Sequence, residues 1–189
     1  MAKAKAKTAK TTEAKPKAAK KSAATTVAVS GNGGHRWLVK SEPNVYGIVD
    51  LERDGATTWE GVRNYTARNT MRDGMKLDDL VLFYHSNAEP SGIAGVARVS
   101  GLAEPDPSQF DRKSEYYDAG AQKNEPRWLM VRLAFVERFD SVLSLEQLKT
   151  DGALVGMPLL QRGQRLSVQP VDAAHFAHAL RLAKAKTKA

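Results

Sequence analysis

The chain has 189 residues, 42% of them apolar, a formal charge of +8 and no cysteine. That length builds one well-packed domain rather than two, and the lack of cysteine excludes a disulfide framework, a thiolate zinc site and a cysteine nucleophile while fitting a reducing compartment. No run approaches the roughly 18 to 20 apolar residues of a membrane span, and the N-terminus lacks the apolar core of a secretory signal. The expectation is a soluble intracellular protein with no membrane partner.

The positive charge is unevenly placed. Residues 1–34 hold eight lysines against one glutamate, and Lys184, Lys186 and Lys188 lie in the last six positions. Residues 35–183 carry 18 basic and 20 acidic side chains, so the folding part is nearly neutral. Unspecific attraction to a polyanion therefore belongs to the ends of the chain, and the domain must bind through a local site.

Residues 1–34 form a Lys, Ala and Thr segment without aromatics that closes on a Gly-rich hinge. Such a composition buries too little apolar surface to offset the ordering of its backbone, so a disordered tail is expected. It reads either as an electrostatic arm on nucleic-acid phosphates or as a solubilising tail. The domain is expected over residues 35–182, with a short basic tail over 183–189.

"HRWLVKSEP" predicts a first strand ended by Pro43, and "NVYGIVDLERDG" a short helix with Val45, Ile48 and Leu51 on one face and Gly55 as its stop. "WEGVRNYTARNTMR", residues 59–72, has the length of a helix that opens at Trp59 but shows no clean apolar face. "DDLVLFYHSN" and "SGIAGVARVSG", separated by "NAEPSG", predict an antiparallel hairpin. Residues 101–126 have three prolines and no usable period, and read as a long excursion that is either functional or a flap held by Phe110, Tyr116 and Tyr117. "RWLMVRLAFVERF" predicts a central strand, apolar on nearly both faces. "SLEQLKT" follows as a short helix with a capping box from Ser144 to Gln147, then "RLSVQPV" as a last strand. "DAAHFAHALRLAKAK" predicts a helix capped by Asp172 with Phe176, Ala179, Leu180 and Ala183 facing the core. Short strands at irregular spacing with short helices between them fit an α+β fold, a small barrel or strongly curved sheet with helices around its ends.

Catalytic signals are thin. His175 and His178 stand at i, i+3 on a helix, but without a carboxylate pair or cysteine nearby they read as a surface pair, and no metal is expected. Adjacent His85 and Ser86 point to opposite faces of a strand and do not make a nucleophile and base. "GNGG" lacks the strand and helix that a phosphate-cradling loop needs. The remaining constellation is polar and aromatic: Trp59, with Arg63, Asn64 and Tyr65 after it. An aromatic face with amide and guanidinium donors suits a flat heterocycle, since stacking contributes roughly 1 to 3 kcal/mol per base and edge hydrogen bonds select the base. The alternative is that Trp59 fills the core and the arginines pair with nearby carboxylates.

Taken together, "KSEP", "WEGVRNYTARNTMR", "DLVLFYHSN", "GIAGVARV", "PRWLMVRL" and "LSVQPV" are six collinear motifs, and over about residues 36 to 178 the chain resembles the EVE domain family. Asp73 and Gly74 before Met75 depart from the common pattern. The resemblance implies a PUA-like fold, a compact β-barrel with flanking short helices, related to the YTH domains, with a pocket at one barrel end that reads a modified base, chiefly a modified cytosine in DNA. It implies a reader rather than an enzyme, with no cofactor, a nucleic acid containing a modified base as partner, and a monomer. Carried onto this sequence, it puts Lys40, Ser41 and Glu42 at the end of the first strand, and Trp59, Gly61, Val62, Arg63 and Asn64 along one wall. Tyr84, His85 and Ser86 stand opposite, with Arg165, Leu166, Ser167 and Val168 at the floor. Trp59 is expected to stack on the base, Ser41, Asn64 and Ser86 to read its edge, and Arg63, His85 and Arg165 to contact phosphate or buttress the pocket. The compartment is then nuclear in a eukaryote, or cytoplasmic and nucleoid-associated in a bacterium. Two competing readings are a hydrolase or nuclease on a related barrel, with His85, Lys40 and Glu42 as acid and base, and a module that binds a peptide or small metabolite.

Overall fold

The structure, a computed structural model, describes residues 34–189; the expected disordered tail lies outside the described residues, apart from Gly34. Among these residues six strands form one mixed sheet: β1 (Arg36–Ser41), β2 (Ala56–Trp59), β3 (Leu80–His85), β4 (Gly92–Pro105), β5 (Leu129–Ser144) and β6 (Val168–Pro170), in the order β2-β5-β4-β3-β1-β6. β1 and β3 run parallel, and every other pair is antiparallel. Among the described residues five short α-helices surround it: α1 (Pro43–Tyr46), α2 (Ile48–Asp54), α3 (Tyr65–Asn69), α4 (Leu145–Thr150) and α5 (Ala173–Leu182).

The period-2 pattern of the strands explains why both sheet faces are covered. Trp37 and Val39 of β1 and Val81 and Phe83 of β3 enter one core cluster, together with Trp59, Val131, Leu133 and Val168. Leu38, Leu80, Leu82 and Tyr84 enter a second cluster, beneath Leu148 of α4 and Phe176, Ala179 and Leu180 of α5. Trp59 belongs to one edge strand and Val168 to the other, yet they share a core. The sheet must therefore curl around that cluster, and the indole of Trp59 meets Phe83, three strands away in pairing order, edge-on at 5.7 Å between ring centres. The curl is built into β4 and β5, whose pairing shifts register at four places. At Gly95 a Cβ would lie 2.3 Å from the Glu137 carbonyl oxygen, so only glycine permits that close approach. This is the α+β, PUA-like barrel with flanking short helices that was expected.

The hairpin, the Ser144–Gln147 capping box and the Asp172 cap appear as expected, and the long strand β5 forms inside the sheet, next to the edge strand β2 rather than at its centre. Three elements differ. Residues 43–54 form two helices, because Gly47 is extended between them and its N–H is taken by the Asp50 carboxylate. β4 continues through Pro105, so the excursion begins later than 101. The largest difference concerns residues 59–72. Trp59 is the last residue of β2, residues 60–64 have no regular structure, α3 covers only Tyr65–Asn69, and a π-helical turn over Thr70–Gly74 takes in the departing Asp73 and Gly74. β2 is four residues long and visible only through its pairing with β5, a long-range contact that no local pattern encodes. After α5, the backbone N–H groups of Lys186 and Thr187 donate to the Glu137 carboxylate, so this end of the chain is bound to the domain.

Candidate nucleic-acid interface

The parallel pairing of β1 with β3 puts Ser41 opposite His85, and by alternation both side chains fall on the interior face that carries Val39 and Phe83. Ser41 is 4% exposed, and its hydroxyl has no hydrogen-bond partner among the described residues. An orphaned buried hydroxyl costs roughly 1 to 3 kcal/mol, so it calls for an explanation. His85 is buried too, and its ring meets Phe83 edge-on at 5.8 Å. Its Nε2 accepts the backbone N–H of Ile48 at 3.1 Å, which puts the proton on Nδ1 and leaves that N–H available as a donor. Burial pushes the His85 pKa below its usual value, against the pull of Asp50, so the ring is neutral at physiological pH.

Phe83 touches both His85 and Trp59, which brings Trp59 to the same end of the barrel interior. Trp59 is 2% exposed and part of the core cluster. It is not an exposed face at the start of a helix, as its composition suggested, and a base would reach the indole only inside the barrel end. Val62 is also core.

Other expected site residues separate. Lys40 and Tyr84 alternate with Ser41 and His85 and so take the outer face; Tyr84 packs in the second cluster, and Lys40 donates from Nζ to the Gln164 carbonyl at 3.2 Å. Glu42 accepts from the Asn87 amide at 2.8 Å, and Ser86 donates its N–H to the Ser41 carbonyl. His85, Lys40 and Glu42 thus do not converge as an acid and base set. At the start of β6, Ser167 is buried and its carbonyl accepts the Lys40 N–H, while Arg165 is exposed with Arg162 near it in sequence.

Asn64 uses its side-chain oxygen to cap α3 through the Ala67 N–H, and its amide NH2 can donate to a ligand. Arg63 is tied to the excursion: it donates to the Asp106 carboxylate at 2.8 Å, to the Ser108 hydroxyl at 2.9 Å and to the Tyr116 carbonyl. Asp106, with a fully buried carboxylate, also accepts from the Gly61 N–H at 2.8 Å and from Ser108. Burial alone would raise its pKa, but those donors, Arg63 first, outweigh it and hold the carboxyl below its ordinary range. Gly61 has a φ of 77° and a Cβ there would lie 2.9 Å from the Tyr116 ring, so glycine lets the wall close against the excursion. Asp106 escapes a reading of the sequence, because a buried carboxylate in an aperiodic stretch has no local signature.

Among the described residues no group of three or more His, Cys, Asp or Glu side chains could hold a metal ion; His178 instead bonds Asp151 at 2.9 Å and Arg181 at 2.8 Å.

The family model for the EVE domain matches residues 35–182. The chain belongs to the EVE domain family. Mouse thymocyte nuclear protein 1 is 39% identical over 168 residues, which cover 77% of this chain and 74% of the mouse protein. Among solved structures, this EVE domain superposes on a hypothetical protein from Leishmania major with a TM-score of 0.76 at 46% identity, covering 80% of this chain and 95% of that one. A crystal structure of human THYN1 in complex with DNA containing 5-methylcytosine gives a TM-score of 0.74 at 36% identity, covering 82% of this chain and all of that one.

Proposed function

We propose that this protein is a non-catalytic reader that takes a modified base, a modified cytosine in DNA before a modified base in RNA, into the end of its barrel. The observation that carries the reading is the buried Ser41 hydroxyl without a partner among the described residues, beside the Nδ1–H of a neutral His85. A base edge that offers both an acceptor and a donor would satisfy the two groups. Trp59 would stack on the base once it is inside, where the base is removed from water as the indole already is. The Asn64 amide and Ser86 would contribute at the rim, and the exposed Arg165 would meet phosphate. The complex formed by human THYN1 supports the choice of partner. The separation of His85 from Lys40 across the sheet favours a reader over a hydrolase or nuclease. In this reading the protein acts as a monomer, nuclear in a eukaryotic host and nucleoid-associated in a bacterial one.

The test is equilibrium binding of the full chain to DNA and RNA oligomers that differ only in one base modification, at a salt concentration that suppresses unspecific binding. A modified base should bind more tightly than its plain counterpart, and mass spectrometry should recover it unchanged. Equal affinity across the panel would overturn the reader, and chemical conversion of the base would overturn its non-catalytic character.

A further inference from the structure

The polar stretch after Trp59 is only partly spent on the barrel end. Arg63, Tyr65 and Arg68 join Tyr116 and Trp128 in one continuous stack. The Arg63 guanidinium lies 5.4 Å from the ring centres of both Tyr116 and Trp128. Tyr65 stacks on Trp128 at 4.8 Å with 30° between the planes, and Arg68 stands 4.9 Å from the Tyr65 ring centre. The inner rungs are fixed: Arg63 by Asp106, and Trp128 through its Nε1–H on the Asp118 carboxylate at 2.7 Å. The outer rungs reach water. Tyr65 is 54% exposed, and among the described residues Arg68 donates to neutral acceptors, the Arg127 carbonyl and the Asn69 amide oxygen. The stack begins beside the proposed site, since the Tyr116 ring abuts Gly61, two residues after Trp59.

Covering Trp128 requires only an apolar side chain. An aromatic ring already ordered on a rigid support, with a cation held by neutral acceptors beside it, is what a nucleobase next to a phosphate finds favourable. Paired bases in a duplex hide their faces, so the matching partner is an unpaired base. We infer that the outer end of this stack, Tyr65 with Arg68, is a second nucleic-acid contact, a platform for an unpaired base flanking the one held at the barrel end. The inference rests on the reader proposed above, and extends it to a preference for single-stranded or locally opened nucleic acid.

The test uses the full chain with Tyr65→Leu, which keeps an apolar cover on Trp128, and Tyr65→Phe, which keeps the π face. The probes are a single-stranded oligomer with one 5-methylcytosine, the same oligomer with abasic sites on either side of it, and 5-methyldeoxycytidine monophosphate. Tyr65→Leu should weaken the intact oligomer roughly tenfold, and Tyr65→Phe by less than about twofold. Abasic flanks should erase the difference, and the mononucleotide should bind all three proteins alike. The platform is overturned if Tyr65→Leu binds the intact oligomer as the wild type does, or loses the mononucleotide by the same factor. Should the reader itself fail, plain and methylated oligomers would bind the wild type equally, yet the Tyr65→Leu deficit would persist on both, because stacking does not sense the modification.

Discussion

Replacing Asp106 by alanine tests how residues 60–64 are held. The Asp106 carboxylate has no solvent exposure and gathers the Gly61 N–H, the Arg63 guanidinium and both donors of Ser108. Removing it leaves a guanidinium that is four-fifths buried and a buried N–H without their acceptor. Breaking a buried ion pair from one side costs about 3 to 5 kcal/mol. In a domain of this size each kcal/mol shifts Tm by roughly 2 to 4 °C, so Asp106→Ala should melt about 6 to 20 °C below the wild type. The folded-state pKa of Asp106 is lowered, so its contribution is complete above the unfolded carboxylate value, near 3.9, and is lost as pH falls through the folded value. Urea titrations should therefore show a gap between wild type and variant that is constant from pH 7 to about 5 and narrows only below about 4. A loss under about 1 kcal/mol at pH 7, or a gap that closes between pH 7 and 5, would refute the view that this carboxylate fastens residues 60–64 to the excursion.

Ser41→Ala should separate stability from binding: removing a buried hydroxyl that has no partner among the described residues should leave the fold as stable or up to about 1 kcal/mol more stable, while affinity for a modified oligomer falls roughly fivefold. A drop in both would make Ser41 a structural residue. Because burial lowers the His85 pKa, wild-type stability should fall as pH drops from about 6.5 toward the folded value and then level off, and His85→Gln should lack that slope; parallel curves would count against a neutral buried ring. Deleting residues 1–34, with their eight lysines, should flatten the dependence of log affinity on log salt by about 0.9 for each phosphate that the segment neutralises, and an unchanged slope would make the segment a bystander.

The parts of the fold that were legible in the sequence are those with local causes. The hairpin of β3 and β4 follows from two β-rich runs around a turn, the start of α4 from Ser144 and Gln147, and α5 from an Asp172 cap ahead of a 3.6-residue apolar period. Ser41 and His85 were named from motifs, but that they share a face while Lys40 and Tyr84 take the other is a matter of strand register and alternation. Trp59 was misplaced for a related reason. A four-residue strand beside an irregular, arginine-rich stretch has the composition of a helix, and only pairing with β5, more than 70 residues away, makes it a strand. The partners of Arg63 were invisible because Asp106 and Tyr116 are more than 40 residues away and lie in a stretch without a period.

The polar character of residues 59–72 now has two separate causes. Its first part sends the Trp59 and Val62 side chains into the barrel core, and the Gly61 N–H between them needs a buried acceptor and finds it in Asp106. Its second part, Arg63 to Arg68, faces the excursion, and its planar side chains are stacked against one another rather than spread along a helix face. That division explains why no helical wheel of the stretch shows a clean stripe, since the residues do not share a helix. It also sets the order of dependence between the two proposed contacts. The Arg63 guanidinium is held by Asp106 and stacks on Trp128, and Trp128 supports Tyr65, so loosening the wall at Asp106 should disturb the outer platform. Removing Tyr65, which is half in water, should leave the wall intact.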